Sequence, residues 1–201
     1  MNFASMISKR GSTICRGCDS KNLKSILNLG EQPLPAEYGI NKNDVLDKFP
    51  LHLKVCRNCG LGQLGEYVLP DRIFHKNYPY LSSASDYWVN HARKFASKMV
   101  KKLSLNKENL VLEIGSNDGY LLSEFQKLGA SVLGIEPPIN TANMARKAGI
   151  PTISEFFSVN LAKEILAKYG HPRLIVVNNV YAHVPDQQDF TKGMAILSDN
   201  S

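Results

Sequence analysis

The chain has 201 residues, 43% of them hydrophobic and 21% charged, with a formal net charge of +6. That profile is ordinary for a soluble globular protein of one medium or two small domains. No apolar run approaches the roughly 20 residues that span a bilayer, and residues 1–10 lack a continuous apolar leader segment, so a cytoplasmic protein with no membrane role is expected. The charge is uneven. Residues 1–105 carry 16 Lys/Arg against 8 Asp/Glu, whereas residues 106–201 carry 8 against 10. The basic half reads either as a solvated surface or as a partner for a nucleotide or phosphate. Its cations are scattered and form no run, so no nucleic-acid partner is expected.

Residues 1–72 are rich in Gly, Pro, Asn and Cys and read as a small metal-binding domain. Leu51-His-Leu-Lys-Val55 alternates like a strand. All four cysteines fall in two pairs, Cys15-Arg-Gly-Cys18 and Cys56-Arg-Asn-Cys59-Gly60. A two-residue gap lets both sulfurs of a pair face one ion, Gly60 suits the tight turn that follows, and four thiolates match a closed structural zinc site. The 37 residues between the pairs must then fold locally. Two disulfides are the rival reading, disfavoured by a reducing compartment.

Residues 73–105 read as a helical connector. Trp88, Ala92, Phe95, Ala96, Met99 and Leu103 recur at helical spacing, and Ser85 or Asp86 is the expected N-cap. From residue 106 a βα alternation begins. Strands are predicted at Leu110–Ile114, Ser131–Ile135, Pro151–Ile153 and Leu174–Val177. Helices are predicted at Tyr120–Leu128, Thr141–Ala148, Asn160–Tyr169 and Asp186–Leu197, with Gly129, Gly149 and Gly170 as stops. Strands alternating with helices imply an α/β fold with a parallel, doubly wound sheet, whose fourth strand is too apolar for a wet face.

The first strand ends in Glu113 and runs into Gly115-Ser116-Asn117-Asp118-Gly119. This is a G-x-x-x-G turn, not the G-x-G-x-x-G of dinucleotide sites. Glu136, at the end of the second strand and followed by Pro137, stands about 20 residues further on, where a carboxylate can accept hydrogen bonds from both ribose hydroxyls. The bland reading is a plain glycine turn with two exposed acids. Together, E-x-G-x-x-x-G and the second acid resemble a class I S-adenosylmethionine-dependent methyltransferase: an incomplete Rossmann-like sheet over residues 106–201.

The upstream motifs sharpen the likeness. C-x-x-C, then C-x-x-C-G with Leu61-Gly-Gln-Leu64, then Tyr78-Pro-Tyr80-Leu-Ser82-Ser83-Ala-Ser85, then the glycine loop, then Asn179-Val-Tyr-Ala-His183-Val-Pro185, together resemble the sugar C-methyltransferase family with an N-terminal zinc-binding domain. The resemblance implies a nucleotide-linked 4-keto-deoxysugar as substrate, S-adenosylmethionine as methyl donor and a structural Zn2+ that takes no part in the reaction. It implies that Glu113 lies near the methionine end and Glu136 on the ribose. Gly115, Ser116, Asn117, Asp118, Gly119, Pro137 and Asn179 would complete the cofactor site. Tyr78, Tyr80 and His183 are the candidate catalytic residues, with Ser82 and Ser83 against the substrate. In such enzymes a keto group acidifies the neighbouring C–H, a base removes that proton, and the enolate takes the methyl. Other roles stay open: His183 as a loop cap, the tyrosines as packing aromatics, the serines as helix caps. His52, His75, His91 and His171 read as surface or packing residues.

A class I sheet has about seven strands, and four are predicted here. The family's Tyr-x-Glu-His segment, which carries the presumed base, has no counterpart in the chain. The sequence therefore reads as a truncated protein whose fourth strand would present an unpaired edge open to self-association. A non-enzymatic zinc-containing module that completes its sheet with a partner chain is the alternative. A zinc-ribbon nucleic-acid binder is a third reading, and it leaves the loop and Glu136 without a role.

Overall fold

The computed structural model describes residues 13–35 and 45–198, together with the backbone of Ile7–Ser8. The rest of residues 1–10, where the sequence predicts no leader segment, and the final Asp199-Asn200-Ser201 lie outside the described residues. The chain divides into two units, Met1–Phe74 with Pro185–Gln188 and His75–Val184 with Asp189–Ser201.

The first unit is made of antiparallel pairings. β1 (Ile7–Ser8) pairs with a second short strand, Tyr67–Val68 (β5). β2 (Leu23–Pro33), β3 (Lys48–Cys56) and β4 (Gly62–Leu64) form a three-stranded sheet in that order. The alternation at Leu51–Val55 marks the middle of β3. β2 was not predicted, for a physical reason: every residue after Leu23 is exposed, and its pairing with β3 shifts register twice. A ribbon with no buried face carries no period-two signal. A one-turn helix, α1 (Pro70–Ile73), starts at a proline in its first turn.

The second unit carries the βα alternation. α2 (Asp86–Leu103) starts where the Ser85 hydroxyl accepts the Trp88 N–H at 3.3 Å, so Ser85 is the N-cap. β6 (Leu110–Ile114), β7 (Ser131–Ile135), β8 (Thr152–Ile153) and β9 (Leu174–Val176) form a parallel sheet in the order β8-β7-β6-β9. They are joined by α3 (Tyr120–Lys127), α4 (Ile139–Lys147) and α5 (Val159–Tyr169), and α6 (Gln187–Leu197) follows β9. The chain builds outward from β6 to β8, then returns to place β9 on the other side of β6. The reversal creates a switch point at the carboxyl ends of β6 and β9, where open α/β sheets bind ligands.

Period-two alternation sends β6 side chains to two cores. Val111 joins a cluster with Ala92 and Ala96 of α2, Leu121, Leu122 and Phe125 of α3, and Val132. Leu112 and Ile114 join the opposite cluster, with Leu161, Ala162 and Ile165 of α5 and Phe190 and Leu197 of α6. Two residues on from Val111, Glu113 therefore stands on the α2–α3 face. α2 and α3 are also linked by Glu124, buried, which accepts from Arg93 at 3.2 Å and Lys127 at 2.8 Å. The fourth strand departs from expectation. Leu174 and Ile175 are only half-buried, because β9 has β6 on one side and, among the described residues, no strand on the other. Among the described residues no helix is long and apolar enough to cross a membrane.

Candidate functional site

The first unit brings Cys15, Cys18, Cys56 and Cys59 together, with all four sulfurs within 4.8 Å of one another. Cys15 and Cys59 stand 3.6 Å apart, and Cys18 and Cys56 3.7 Å. A disulfide needs about 2.05 Å, so neither pair is bonded, and the disulfide reading falls. Zinc–sulfur bonds of about 2.3 Å in a tetrahedron place sulfurs about 3.8 Å apart, which these distances fit. Both turns are built alike. The N–H groups of Gly17 and Asn58 each donate to the first sulfur of their pair at 3.4 Å. The residue after each second cysteine, Asp19 and Gly60, adopts a left-handed conformation, with φ of 55° and 77°. The Cys59 N–H, opposed by desolvation and assisted by that of Asn58, lowers the Cys56 thiol to about 6, whereas desolvation raises Cys15 and, against the pull of the Ser20 N–H, the neighbouring thiols and desolvation push Cys18 up to about 12, so Cys56 ionises before either. Buried Gln63 braces the first turn by accepting the Arg16 N–H at 2.9 Å and donating to the Ile14 carbonyl at 3.0 Å.

In the second unit the Gly115–Gly119 loop folds back over the end of β7. The N–H groups of Gly115 and Ser116 both donate to Ile135 O, at 2.8 and 3.1 Å. Gly115, Asn117 and Gly119 all have positive φ (74°, 51° and 82°), which glycine and asparagine tolerate best. A Cβ on Gly115 would collide with Val180, which brings the segment after β9 against the loop. A Cβ on Gly134, in the middle of β7, would collide with the Ser116 hydroxyl. Gly134→Ala is therefore expected to displace the loop and cost about 1–3 kcal/mol of stability. An unchanged thermal midpoint would show that the loop does not depend on this close approach.

Two carboxylates flank the loop. Glu113 is 1% exposed, and neither of its oxygens has a hydrogen-bond partner among the described residues. Burial raises its pKa well above the ordinary carboxylate range, and the nearby charges of Glu136 and Asp118 add to the rise. Glu136 is also buried but is held: its oxygens accept from the Asn117 N–H and the Thr141 hydroxyl, each at 2.8 Å. Burial raises its pKa too, against the pull of those two bonds. Burial and the Glu113 charge push Tyr120 up to about 12, while hydrogen bonds with the Trp88 and Asn178 side chains act against the rise.

The segment Tyr78–Ser83 lies along this loop. Tyr78 O accepts from Asn140 Nδ2 at 2.8 Å, and Tyr80 O from Asn117 Nδ2 at 3.1 Å. The Ser82 N–H donates to Asn117 Oδ1 at 2.8 Å, and the Ser83 N–H to Asp118 Oδ2 at 3.1 Å. Tyr78, Tyr80, Ser82, Ser83, Asn117, Asp118 and Glu136 thus converge on one end of the sheet, with Glu113 beneath. Tyr80 is exposed and Tyr78 partly so. Pro137 is half-buried, its carbonyl accepting from the Ser154 hydroxyl at 3.0 Å. Asn179 (φ 55°) and exposed His183 flank Val180 in the turn after β9, where the His183 N–H donates to Val180 O at 2.9 Å. The other histidines have local roles: His52 bonds Ser25, His75 accepts from the Asn77 N–H, His91 stacks on Trp88 and His171 bonds Leu197 O. Sequence reasoning did not single out Asn140, Thr141, Asn178, Gly134 or Tyr120 as site residues. Tyr120 and Asn178 stood next to recognised motifs, directly after Gly119 and directly before Asn179.

Comparison with known proteins gives the site its context. Residues 88–197 match the family model described as "Methyltransferase domain". The chain belongs to the methyltransferase-domain family. Residues 15–74 match a second model, "Putative zinc binding domain". C-methyltransferase NovU from Streptomyces niveus is 31% identical over 185 residues, covering 91% of this chain and 44% of that protein. The chain therefore spans less than half the length of that relative. Among solved structures, magnesium protoporphyrin IX methyltransferase from Synechocystis, with bound S-adenosylmethionine, aligns at a TM-score of 0.38 and 17% identity, over 63% of this chain and 62% of that one.

S-adenosylmethionine is the methyl donor of this methyltransferase fold, and the site's residues fit it. The orphaned Glu113 carboxylate suits a cationic amino-acid group, and Glu136 retains lone pairs for hydroxyl donors. The zinc-binding module brings four thiols together, the number that fills a tetrahedral structural zinc site.

Proposed function

We propose that this methyltransferase domain serves C-methylation of a nucleotide-linked keto-deoxysugar, with Glu113 and Glu136 as the two cofactor contacts. The observation that supports it most is the pair of buried carboxylates at the ends of adjacent parallel strands, on either side of a glycine loop, one of them with no hydrogen-bond partner among the described residues. When bound, S-adenosylmethionine supplies an electrophilic methyl group on a sulfonium.

The chain's own residues do the rest. Glu136 fixes the ribose, and Asn117 and Thr141 fix Glu136. Glu113, ionised on binding, receives the positive methionine end. The backbone of Gly115–Gly119 sets the depth of entry. Tyr78 and Tyr80, carried on a segment tied to the loop, present phenols toward the acceptor, and Asn179 and His183 approach from the turn after β9. This arrangement orients two reactants and excludes water from one face, which is the main catalytic contribution a protein makes to methyl transfer. The likeness to a C-methyltransferase favours carbon as the acceptor atom.

Saturation-transfer NMR tests the substrate class. With S-adenosylhomocysteine present, transfer from the protein to both sugar and base protons of a nucleotide-linked 4-keto-deoxysugar is expected, and Tyr78→Phe with Tyr80→Phe should reduce it. No transfer to either moiety would overturn the assignment.

A further inference from the structure

Asn117 stands in an unusual position for a residue of a cofactor loop. Both ends of its side-chain amide bond elsewhere: Oδ1 accepts from the Ser82 N–H at 2.8 Å, and Nδ2 donates to Tyr80 O at 3.1 Å. Its backbone N–H donates to Glu136 Oε2 at 2.8 Å. The residue is 7% exposed and held at a φ of 51°. One residue therefore grips the tyrosine segment with its side chain and the ribose-facing carboxylate with its main chain. Asp118 and Asn140 add one bond each, at Ser83 and Tyr78.

We propose that Asn117 is a positioning residue that makes ordering of the Tyr78–Ser83 segment and occupation of the nucleoside pocket a single coupled equilibrium. This rests on the cofactor reading given above. Any movement of Glu136 toward a ligand is felt at the Asn117 N–H, and the same residue's amide carries it to the carbonyl of Tyr80 and the amide of Ser82. The amide satisfies one carbonyl and one N–H of a segment that, among the described residues, has no strand partner, so releasing it lets Tyr80 O and the Ser82 N–H exchange with water. Coupling must be reciprocal: the factor by which ligand steadies the segment equals the factor by which loss of the clasp weakens the ligand.

The Asn117→Gly variant isolates the clasp. Glycine accepts the left-handed φ and keeps the N–H bonded to Glu136, but removes both side-chain bonds. Hydrogen exchange on the 201-residue chain, read for the amides of Leu81–Ser85, is the measurement. In the ligand-free protein the variant should exchange about tenfold faster there, the scale of a lost hydrogen bond, with Leu110–Ile114 unchanged. In the wild type, S-adenosylhomocysteine should slow Leu81–Ser85, whereas in the variant it should bind more weakly and slow that segment little or not at all. Asn117→Asp, which keeps the acceptor for Ser82 and loses the donor to Tyr80, should fall between. Equal exchange at Ser82 in wild type and Asn117→Gly would overturn the clasp, and equal protection by ligand in both would overturn the coupling. Failure of the wild type to bind S-adenosylhomocysteine would overturn the cofactor reading and the coupling together, while the ligand-free comparison decides the clasp separately.

Discussion

Replacing Cys15 or Cys56 by serine, or stripping zinc with a chelator, is expected to unfold the unit that carries the cysteines. Among the described residues of that unit, the buried apolar side chains are Cys15, Phe49, Cys56 and Val68. A core of four apolar side chains, only one of them large, cannot hold a three-stranded ribbon whose β2 is exposed along almost its whole length. A structural zinc site is worth about 10–16 kcal/mol of apparent folding energy in small modules at neutral pH. Here that exceeds anything the apolar contacts supply. Hydrogen exchange of the β3 amides, Lys48–Cys56, reads the effect before and after chelation. Loss of protection with zinc released in a 1:1 ratio by metal analysis is the expected result. Full protection without metal would mean that Gln63 and the strand pairing suffice.

Glu113 gives the second large effect, and its sign depends on whether ligand is present. In the ligand-free chain its folded pKa lies above the unfolded value, mainly through burial. The native state therefore binds more protons than the unfolded state across the window between the two values, and stability falls as pH rises through it. Glu113→Gln removes that ionisation penalty. The variant should be more stable than the wild type, with a difference that grows as pH rises from about 4.3 until the raised pKa is passed. Ligand binding should respond in the opposite sense. Wild-type affinity for a cationic ligand should rise with pH over the same window, with proton release, and Glu113→Gln should lose about 1.5–3 kcal/mol of affinity, the worth of a hydrogen bond to a charged group. Thermal melts and calorimetry in buffers of different ionisation enthalpy measure the two halves. A variant that is both less stable and equally tight would contradict a ligand role for Glu113.

Much of the second unit was legible because its signals are local. Val111, Leu112 and Ile114 make a buried strand run, Gly129 and Gly149 adopt the left-handed conformation expected of helix stops, and Ser85 caps as its position suggested. The parallel sheet follows from the alternation itself. The cysteine spacing likewise survives folding, because a two-residue gap constrains both sulfurs at once. What the sequence hid depends on contacts far apart in the chain. The clasp joins Asn117 to Tyr80 and Ser82 across a span of 35–37 residues, and Asn140 reaches Tyr78 across 62. Asparagine is common in loops and announces no partner. Gly134 reads as an ordinary strand glycine in sequence, because its contact with Ser116 is made only in the fold. β2 was invisible because a strand exposed on both faces has no hydrophobic rhythm.

Isothermal titration of the 201-residue chain with S-adenosylhomocysteine tests the central claim most directly. Saturable binding at one site per chain is expected, weakened about tenfold or more by Glu136→Gln through loss of the ribose hydrogen bonds. No heat of binding at two temperatures, together with no thermal shift, would contradict the assignment of this loop to a methyl donor.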